Sequence, residues 1–165
     1  MLTECVTTEV QPWYWQFYLR RGNADWASDQ ISSEGHEAHL ECISGFVYVG
    51  TWTYGSRTTV TIELHEQEPR PDGHADHVEE VVLDGDGQLA ILNWEPNDVP
   101  VAEIHLPTGQ MTLRGSSTDV RAANEFSERE TGGDQPSPER ILIQIWPLID
   151  DPEPVLIGGR PEVGN

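Results

Sequence analysis

Hydrophobic and polar residues alternate most clearly over residues 58–65, which have the sequence TTVTIELH. The aliphatic residues Val60, Ile62 and Leu64 share one side of an extended chain, and the polar residues between them share the other side. This period of two is typical of an antiparallel strand with one buried and one solvated face. We therefore predict a β-strand over this segment.

Other segments also have the composition of strands. They are short runs of aromatic and aliphatic residues, bounded by glycine, proline or aspartate. In the first of them, alternation places Trp13, Trp15, Phe17 and Leu19 on one face. These segments are residues 13–19, 36–43, 46–49, 78–83, 89–94, 101–106, 110–114 and 141–146.

Two glycine-containing sequences between these segments are typical of tight turns. Residues 85–87 (GDG) separate one pair of strand-like segments, and residues 107–109 (PTG) separate another pair. Each of the two sequences therefore predicts a β-hairpin. Residues 66–77 are rich in proline, glycine and aspartate, and this composition predicts a loop. Residues 118–135 have a composition compatible with helix, but Gly132, Gly133 and Pro136 limit the prediction to a loop with a single turn of helix.

The pattern as a whole predicts an all-β fold, an antiparallel β-sandwich of about seven to nine short strands with little or no helix. A chain of 165 residues is most simply one domain. We expect this domain over residues 13–149. A flexible N-terminus (residues 1–12) is expected before it, and a tail rich in proline, glycine and acidic residues (150–165) after it.

The chain is strongly acidic. It contains 29 Asp and Glu residues against nine arginines and no lysine, which gives a formal net charge of −20 at pH 7. Nucleic-acid affinity comes largely from cations that neutralise phosphates, so this charge disfavours direct nucleic-acid binding. It disfavours docking on an anionic membrane for the same reason. A basic protein is compatible as a partner, although high-G+C genomes and salt-adapted cytoplasms also produce acidic proteins of no special function.

Part of this acidity is concentrated in residues 63–86, which hold nine carboxylates and one cation, Arg70. Loops and outward strand positions are expected to expose these carboxylates, which makes them candidate contacts for a basic partner. Trp26 lies in a polar segment and is a further candidate, because exposed tryptophans often anchor interfaces. The candidate carboxylates are Glu63, Glu66, Glu68, Asp72, Asp76, Glu79, Glu80, Asp84 and Asp86.

An alternative function follows from the histidines of the loop. His74, Asp76 and His77 could supply nitrogen and oxygen ligands to zinc or another divalent cation. With the aromatic residues lining a pocket, this would make the protein a small-molecule or metal-binding β-barrel or sandwich. The spacing of the three residues is not diagnostic, since loops of this composition are usually only solvated.

The sequence has no motif typical of an enzyme, a signal peptide or a membrane span. It contains no nucleophile elbow, phosphate-binding loop or dinucleotide fingerprint, so we predict a protein that is not an enzyme and needs no cofactor. The first residues include Glu4 and Glu9 where a signal peptide would need positive charge, and no apolar run is long enough to span a membrane. We therefore expect a cytoplasmic protein. The sequence does not reveal its oligomeric state.

A family resemblance extends over most of residues 13–147. Gln16-Phe17 is followed by the strand-like segments 46–49 and 60–64, the turn-containing segment 106–114 and the apolar segment 141–146. This order resembles the competence protein J family, whose founding members are small acidic inhibitors of a DNA-entry nuclease. The likeness is greatest to uncharacterised actinobacterial members, through the sequences WQFYLRRG, GFVYVGT and PERILIQIWP. The resemblance implies a shared β-sandwich and supplies no catalytic residues. Together with the net charge of −20, it predicts a protein that masks a basic nuclease with carboxylates in place of phosphates.

Overall fold

The computed structural model describes residues 1–24, 39–43, 45–94, 99–129 and 134–148. These residues form eight β-strands and one α-helix, so the predicted all-β class is confirmed. None of the helical structure in these ranges is long and apolar enough to cross a membrane. The elements are β1 Leu2–Val10, β2 Gln16–Arg21, β3 Leu40–Ile43, β4 Phe46–Gly50, β5 Thr58–His65, β6 His77–Leu92, β7 Ala102–Thr118, α1 Val120–Arg129 and β8 Arg140–Pro147.

All eight strands belong to one sheet, in the order β1-β5-β8-β7-β6-β2-β4-β3. Neighbouring strands are antiparallel, with the exception of β5 and β8, which run parallel. Two strands are much longer than the sequence predicts, since β6 has 16 residues and β7 has 17. These two strands pair with each other and join the two halves of the sheet.

The core shows that this single sheet is folded into two layers. One hydrophobic cluster of 19 buried residues receives side chains from every strand. In β5 the predicted alternation is confirmed, because Val60, Ile62 and Leu64 are buried in this cluster. A flat sheet could not bring the inner faces of both its edges into one cluster. The two halves therefore face each other, as the layers of a sandwich do.

The sheet bends within β6 and β7, at the two sequences that were predicted to be hairpin turns. Both predictions are wrong, because Gly85 lies directly opposite Gly109 and the two strands pair with each other on both sides of this point. The register shifts between Gly85 and Gly87, which is the mark of a β-bulge, and bulges bend strands. Gly87 has a φ of +83° and Gly109 a φ of +130°, values that favour glycine. Glycine-rich sequences are thus used here to bend long strands.

The N-terminal segment differs from the flexible one that we expected. Residues Leu2–Val10 form the edge strand β1, which pairs with β5 along its length. Val10 is buried and Val6 packs against the core. The segment contains few large apolar residues, so its sequence gives a weak signal, and it is the hydrogen-bonding edge of β5 that makes it a strand.

Helix α1 is longer than the single helical turn that we predicted within residues 118–135. Helix α1 has ten residues, and Val120 and Ala123 are its buried members. They form a small separate core with Trp52, from the segment between β4 and β5. Asp76 accepts a hydrogen bond from the Val120 N–H at 3.1 Å, which stabilises the start of the helix. The helix therefore depends on contacts with two segments that are distant in sequence.

Candidate functional site

The loop between β5 and β6, residues 66–76, crosses the outer face of the sheet. Strands β5 and β6 run in the same direction, and β8 and β7 lie between them. The connection must therefore pass over these two strands. Its backbone is held against β7, where Arg114 donates to the Pro69 carbonyl at 2.9 Å. We call residues 66–76 the crossover loop.

Arg114 anchors this loop through both of its terminal nitrogens. Its side chain is 1% exposed, and Nε donates to Glu80 at 2.7 Å. Nη2 donates to Glu68 of the crossover loop at 2.8 Å. The guanidinium also lies over the Trp146 ring, 4.6 Å from its centroid. Two of the nine candidate carboxylates, Glu68 and Glu80, are therefore paired with a buried cation.

Arg114 belongs to a row of polar side chains on the outer face of the sheet. The pairing of Cα atoms places Glu63 of β5 opposite Gln144 of β8. Gln144 lies opposite Arg114, and Arg114 lies opposite Glu80 of β6. The Gln144 amide donates to Glu63 at 3.1 Å, and His65 Nε2 lies 2.9 Å from the same carboxylate. Glu63 is half-buried, and these two contacts hold its carboxylate in a fixed orientation.

The end of the crossover loop carries two more of the candidate carboxylates. Asp72 accepts a hydrogen bond from the His74 N–H at 2.9 Å, and Asp76 bonds to the start of α1. Both aspartates, together with His74 and Arg140, line a cleft of about 510 Å³. Asp76 and His74 are exposed. These two hydrogen bonds fix the direction of the carboxylates.

The remaining exposed candidates lie at the ends of strands and at the bend. Glu66 lies 3.7 Å from the N-terminal ammonium group of Met1, with both groups exposed. Asp84 lies 3.6 Å from Arg21 of β2. Asp86 is exposed within the bulge between Gly85 and Gly87. All these carboxylates project from ordered strands or from the anchored loop.

Glu79 does not belong to the exposed surface on which we expected it. Adjacent strand residues face opposite sides, so Glu79 points inward while Glu80 points outward. Its carboxylate accepts hydrogen bonds from the N–H groups of His39 and Leu40, at 3.0 and 2.8 Å, and lies 2.6 Å from His77 Nε2. Burial raises the pKa of Glu79, but these hydrogen bonds outweigh burial and hold the pKa below its ordinary value. Glu79 therefore connects β6 to the edge strand β3.

The three residues of the metal alternative do not converge. His77 is buried on the inner face beside Glu79, whereas His74 is exposed in the cleft with Asp76. Within the described ranges, no group of three metal-ligating side chains is close enough to hold an ion. His77 is the first residue of β6 and points inward, whereas His74 lies before the strand in the crossover loop, and the sequence of the loop does not reveal this boundary.

A second buried carboxylate, Glu139, was not found from the sequence. It lies in the segment before β8 and accepts hydrogen bonds from the Trp52 N–H at 3.1 Å and from the Thr53 hydroxyl at 2.7 Å. Burial raises the pKa of Glu139 to about 7, although these hydrogen bonds act in the opposite direction. The lone glutamate between Pro138 and Arg140 has no sequence feature that distinguishes it from a surface residue.

The free energy of unfolding is expected to fall as the pH rises from about 4.5 to about 7. In this interval the folded protein keeps a proton on Glu139 that the unfolded chain has lost, so the proton stabilises the folded state. The full loss is about 3 kcal/mol. Urea unfolding at pH 5 and pH 8 measures most of this loss, and Glu139→Gln is expected to abolish the difference. An equal pH dependence in both proteins would show that other groups cause it.

An exposed cluster of aromatic side chains was also missed. Alternation predicted a strand with Trp13 and Trp15 on one face, but β2 begins only at Gln16, and the residues before it form a turn. Phe17 and Leu19, predicted on that same face, are buried. Tyr14 and Trp15 instead lie at the surface, 58% and 50% exposed. Trp26, the aromatic contact that we predicted, lies outside the described residues.

Comparisons with known proteins support a likeness of fold. No protein-family model and no curated protein matches the sequence. Among solved structures, ComJ from Bacillus subtilis, described as an inhibitor of the DNA degrading activity of NucA, matches with a TM-score of 0.64 at 11% identity. The match covers 90% of this chain and 99% of ComJ. A protein described as Crocagin biosynthetic gene J matches with a TM-score of 0.54 at 15% identity, over 87% of this chain and 97% of the other. The chain therefore has a ComJ-like fold.

Proposed function

We propose that this protein binds a basic nuclease and inhibits it by occupying the groove in which the nuclease binds DNA. The observation that carries the proposal is the set of exposed carboxylates on ordered structure in a chain of net charge −20. The likeness to a nuclease inhibitor along nearly its whole length supports it. On this proposal the protein is an inhibitor with no catalytic activity of its own.

The carboxylates would act as substitutes for DNA phosphates. The net charge draws a basic partner toward the protein and raises the association rate. Glu68 is held by Arg114, Asp76 by the helix, and Asp84 by Arg21, so these groups are already ordered before the partner binds. Groups that are already ordered lose little conformational entropy on binding. A flexible acidic tail would not have this advantage.

The structure narrows the set of contacts that we propose. Glu79 is excluded, because its carboxylate is buried and fully engaged between β6 and β3. Glu63, Asp72 and Glu80 are only partly exposed. The proposed contacts are therefore led by the exposed carboxylates Glu66, Glu68, Asp76, Asp84 and Asp86.

The protein is expected to inhibit the degradation of plasmid DNA by NucA, the nuclease named with the structural neighbour. The inhibition should be stoichiometric and should weaken about tenfold or more as the salt concentration rises from 50 to 300 mM, because salt screens charge–charge attraction. The double variant Asp76→Asn/Asp86→Asn should be a weaker inhibitor. Gel analysis of DNA fragments against inhibitor concentration gives the measurement.

The matched control is Glu125→Gln/Glu128→Gln, which removes two exposed carboxylates from α1 and leaves the crossover loop and the bend intact. This control should inhibit as well as the original chain. Equal weakening by both double variants would show that net charge alone matters and that the contacts are not local. Full nuclease activity at 50 mM salt with an excess of the protein would contradict the proposed function.

A further inference from the structure

Five aromatic side chains form a cluster near the start of β2. Tyr54 lies at its centre, with the rings of Trp15 and Trp13 at centroid distances of 4.7 and 5.6 Å. Tyr14 lies 6.0 Å from Tyr54 and 5.2 Å from Trp94. We call these five residues the aromatic cluster. Its members come from three separate segments, so the tertiary structure assembles it.

The exposed part of the cluster is carried on a strained turn. The Gln16 N–H donates to the Trp13 carbonyl at 3.3 Å, which closes a two-residue turn over Tyr14 and Trp15. Their φ angles are +54° and +59°, both in the left-handed region. Two positive φ angles define a type I′ turn, for which asparagine followed by glycine is the favoured sequence. Bulky aromatic residues adopt this conformation only at a cost in free energy.

Tyr14 and Trp15 remain at the surface although the turn that carries them is strained. Tyr14 and Trp15 are the two exposed aromatic residues in the part of the chain that the structure describes. Their backbone is nevertheless fixed, since the Thr51 N–H donates to the Trp15 carbonyl at 2.8 Å. The turn thus holds two large, flat side chains rigidly at the surface. Rigid exposed tyrosine and tryptophan side chains are the residues that most often dominate the binding energy of protein interfaces.

We propose that the aromatic cluster is the docking anchor for a basic protein, whose arginine or lysine side chains stack on the exposed rings of Tyr14 and Trp15. A chain of net charge −20 attracts positively charged partners. Aromatic rings bind arginine and lysine side chains through cation–π attraction, so the exposed rings suit such a partner. This inference rests on the proposed function, since the basic partner is the proposed nuclease. It adds a local anchor to the diffuse attraction of the carboxylates.

The first part of the test measures stability and needs no partner. Tyr14→Asn/Trp15→Gly gives the turn its favoured sequence, so the thermal unfolding midpoint should stay unchanged or rise by a few degrees. If the aromatic side chains served the fold, the same variant would unfold at a clearly lower temperature. That result would overturn the inference.

The second part measures inhibition of NucA at 50 mM salt. Tyr14→Asn/Trp15→Gly should inhibit about tenfold or more weakly than the original chain. Tyr14→Phe/Trp15→Phe, which keeps two aromatic faces on the same turn, should retain most of the inhibition. Leu2→Ala, which removes a half-exposed apolar side chain from β1, should inhibit fully.

Other results of these measurements would contradict either the docking anchor alone or the proposed function as well. Full inhibition by Tyr14→Asn/Trp15→Gly would overturn the docking anchor and leave the proposed function standing. Absence of inhibition by the original chain would contradict the proposed function, and the anchor with it. Quenching of tryptophan fluorescence by single-stranded oligothymidylate would also overturn the inference, because it would show that the rings stack on bases.

Discussion

Replacing Arg114 with methionine is expected to lower the free energy of unfolding by about 3 to 5 kcal/mol. The guanidinium is buried and serves as donor to Glu80, Glu68 and the Pro69 carbonyl. Methionine fills much of the same space but donates nothing. Glu80 would then be left as a partly buried charge, and the crossover loop would lose its attachment to the sheet.

The matched control for this experiment is Arg121→Met, which removes an arginine that is 92% exposed on α1. Its effect is expected to stay within about 0.5 kcal/mol. Combining Arg114→Met with Glu80→Gln should restore part of the lost stability, because the uncompensated charge is then removed. Urea unfolding of the four proteins gives the values. A loss of stability below about 1 kcal/mol for Arg114→Met would contradict the role of this side chain as the loop anchor.

Replacing Gly85 with alanine is expected to lower the free energy of unfolding by about 3 kcal/mol or more. A Cβ atom at this position would lie 2.3 Å from the Pro107 carbonyl oxygen and 3.0 Å from the Gly109 carbonyl oxygen. Both contacts are with backbone, which cannot move aside without disturbing the bend between β6 and β7. Met111 Cγ, 2.9 Å away, would have to move as well.

The control for this substitution is Gly73→Ala in the crossover loop, where a Cβ atom would meet nothing within 4 Å. Its stability should change by less than about 0.5 kcal/mol. Thermal and urea unfolding of both variants would show whether the bend is the sensitive position. Equal stability of the two alanine variants would mean that the ladder can accommodate a side chain at Gly85, and that the close packing of the bend is not essential.

The inward-facing positions of the strands were the most predictable part of the fold. The alternation of Val60, Ile62 and Leu64 predicted both the strand and its buried face, and the structure confirms both. The apolar segment 141–146 was predicted as a buried strand, and it lies within β8. These predictions succeed because burial of alternate side chains is a local consequence of the extended chain.

The candidate site was predictable only in part. The sequence identified the acidic segment 63–86, but it did not separate carboxylates that are exposed from those that are engaged. Glu79 and Glu80 are neighbours in sequence, and one bonds inside the core while the other bonds to Arg114 on the outer face. Their different roles depend on partners about 40 and 34 residues away along the chain. Such partners have no local sequence signature.

Turn-forming sequences predicted the fold least reliably, because the same local conformation can either close a hairpin or bend a long strand. The GDG and PTG sequences bend paired strands, although the same residues would equally well close two hairpins. The WYW sequence has the composition of a strand, yet two of its residues adopt the left-handed conformation of a turn. In each case the pairing of distant strands decides which conformation is realised.

The sequence by itself determined the all-β class, the inward-facing positions of the main strands and the acidic surface, because these depend on the local alternation of side chains and on total charge. Only the tertiary structure decided that the strands form one folded sheet. It also decided that Arg114 anchors the crossover loop, that Glu79 and Glu139 are buried, and that five aromatic side chains meet at the surface. The physical reason is that these features are contacts between segments far apart in the chain, and their free energy depends on partners that only the folded backbone brings together.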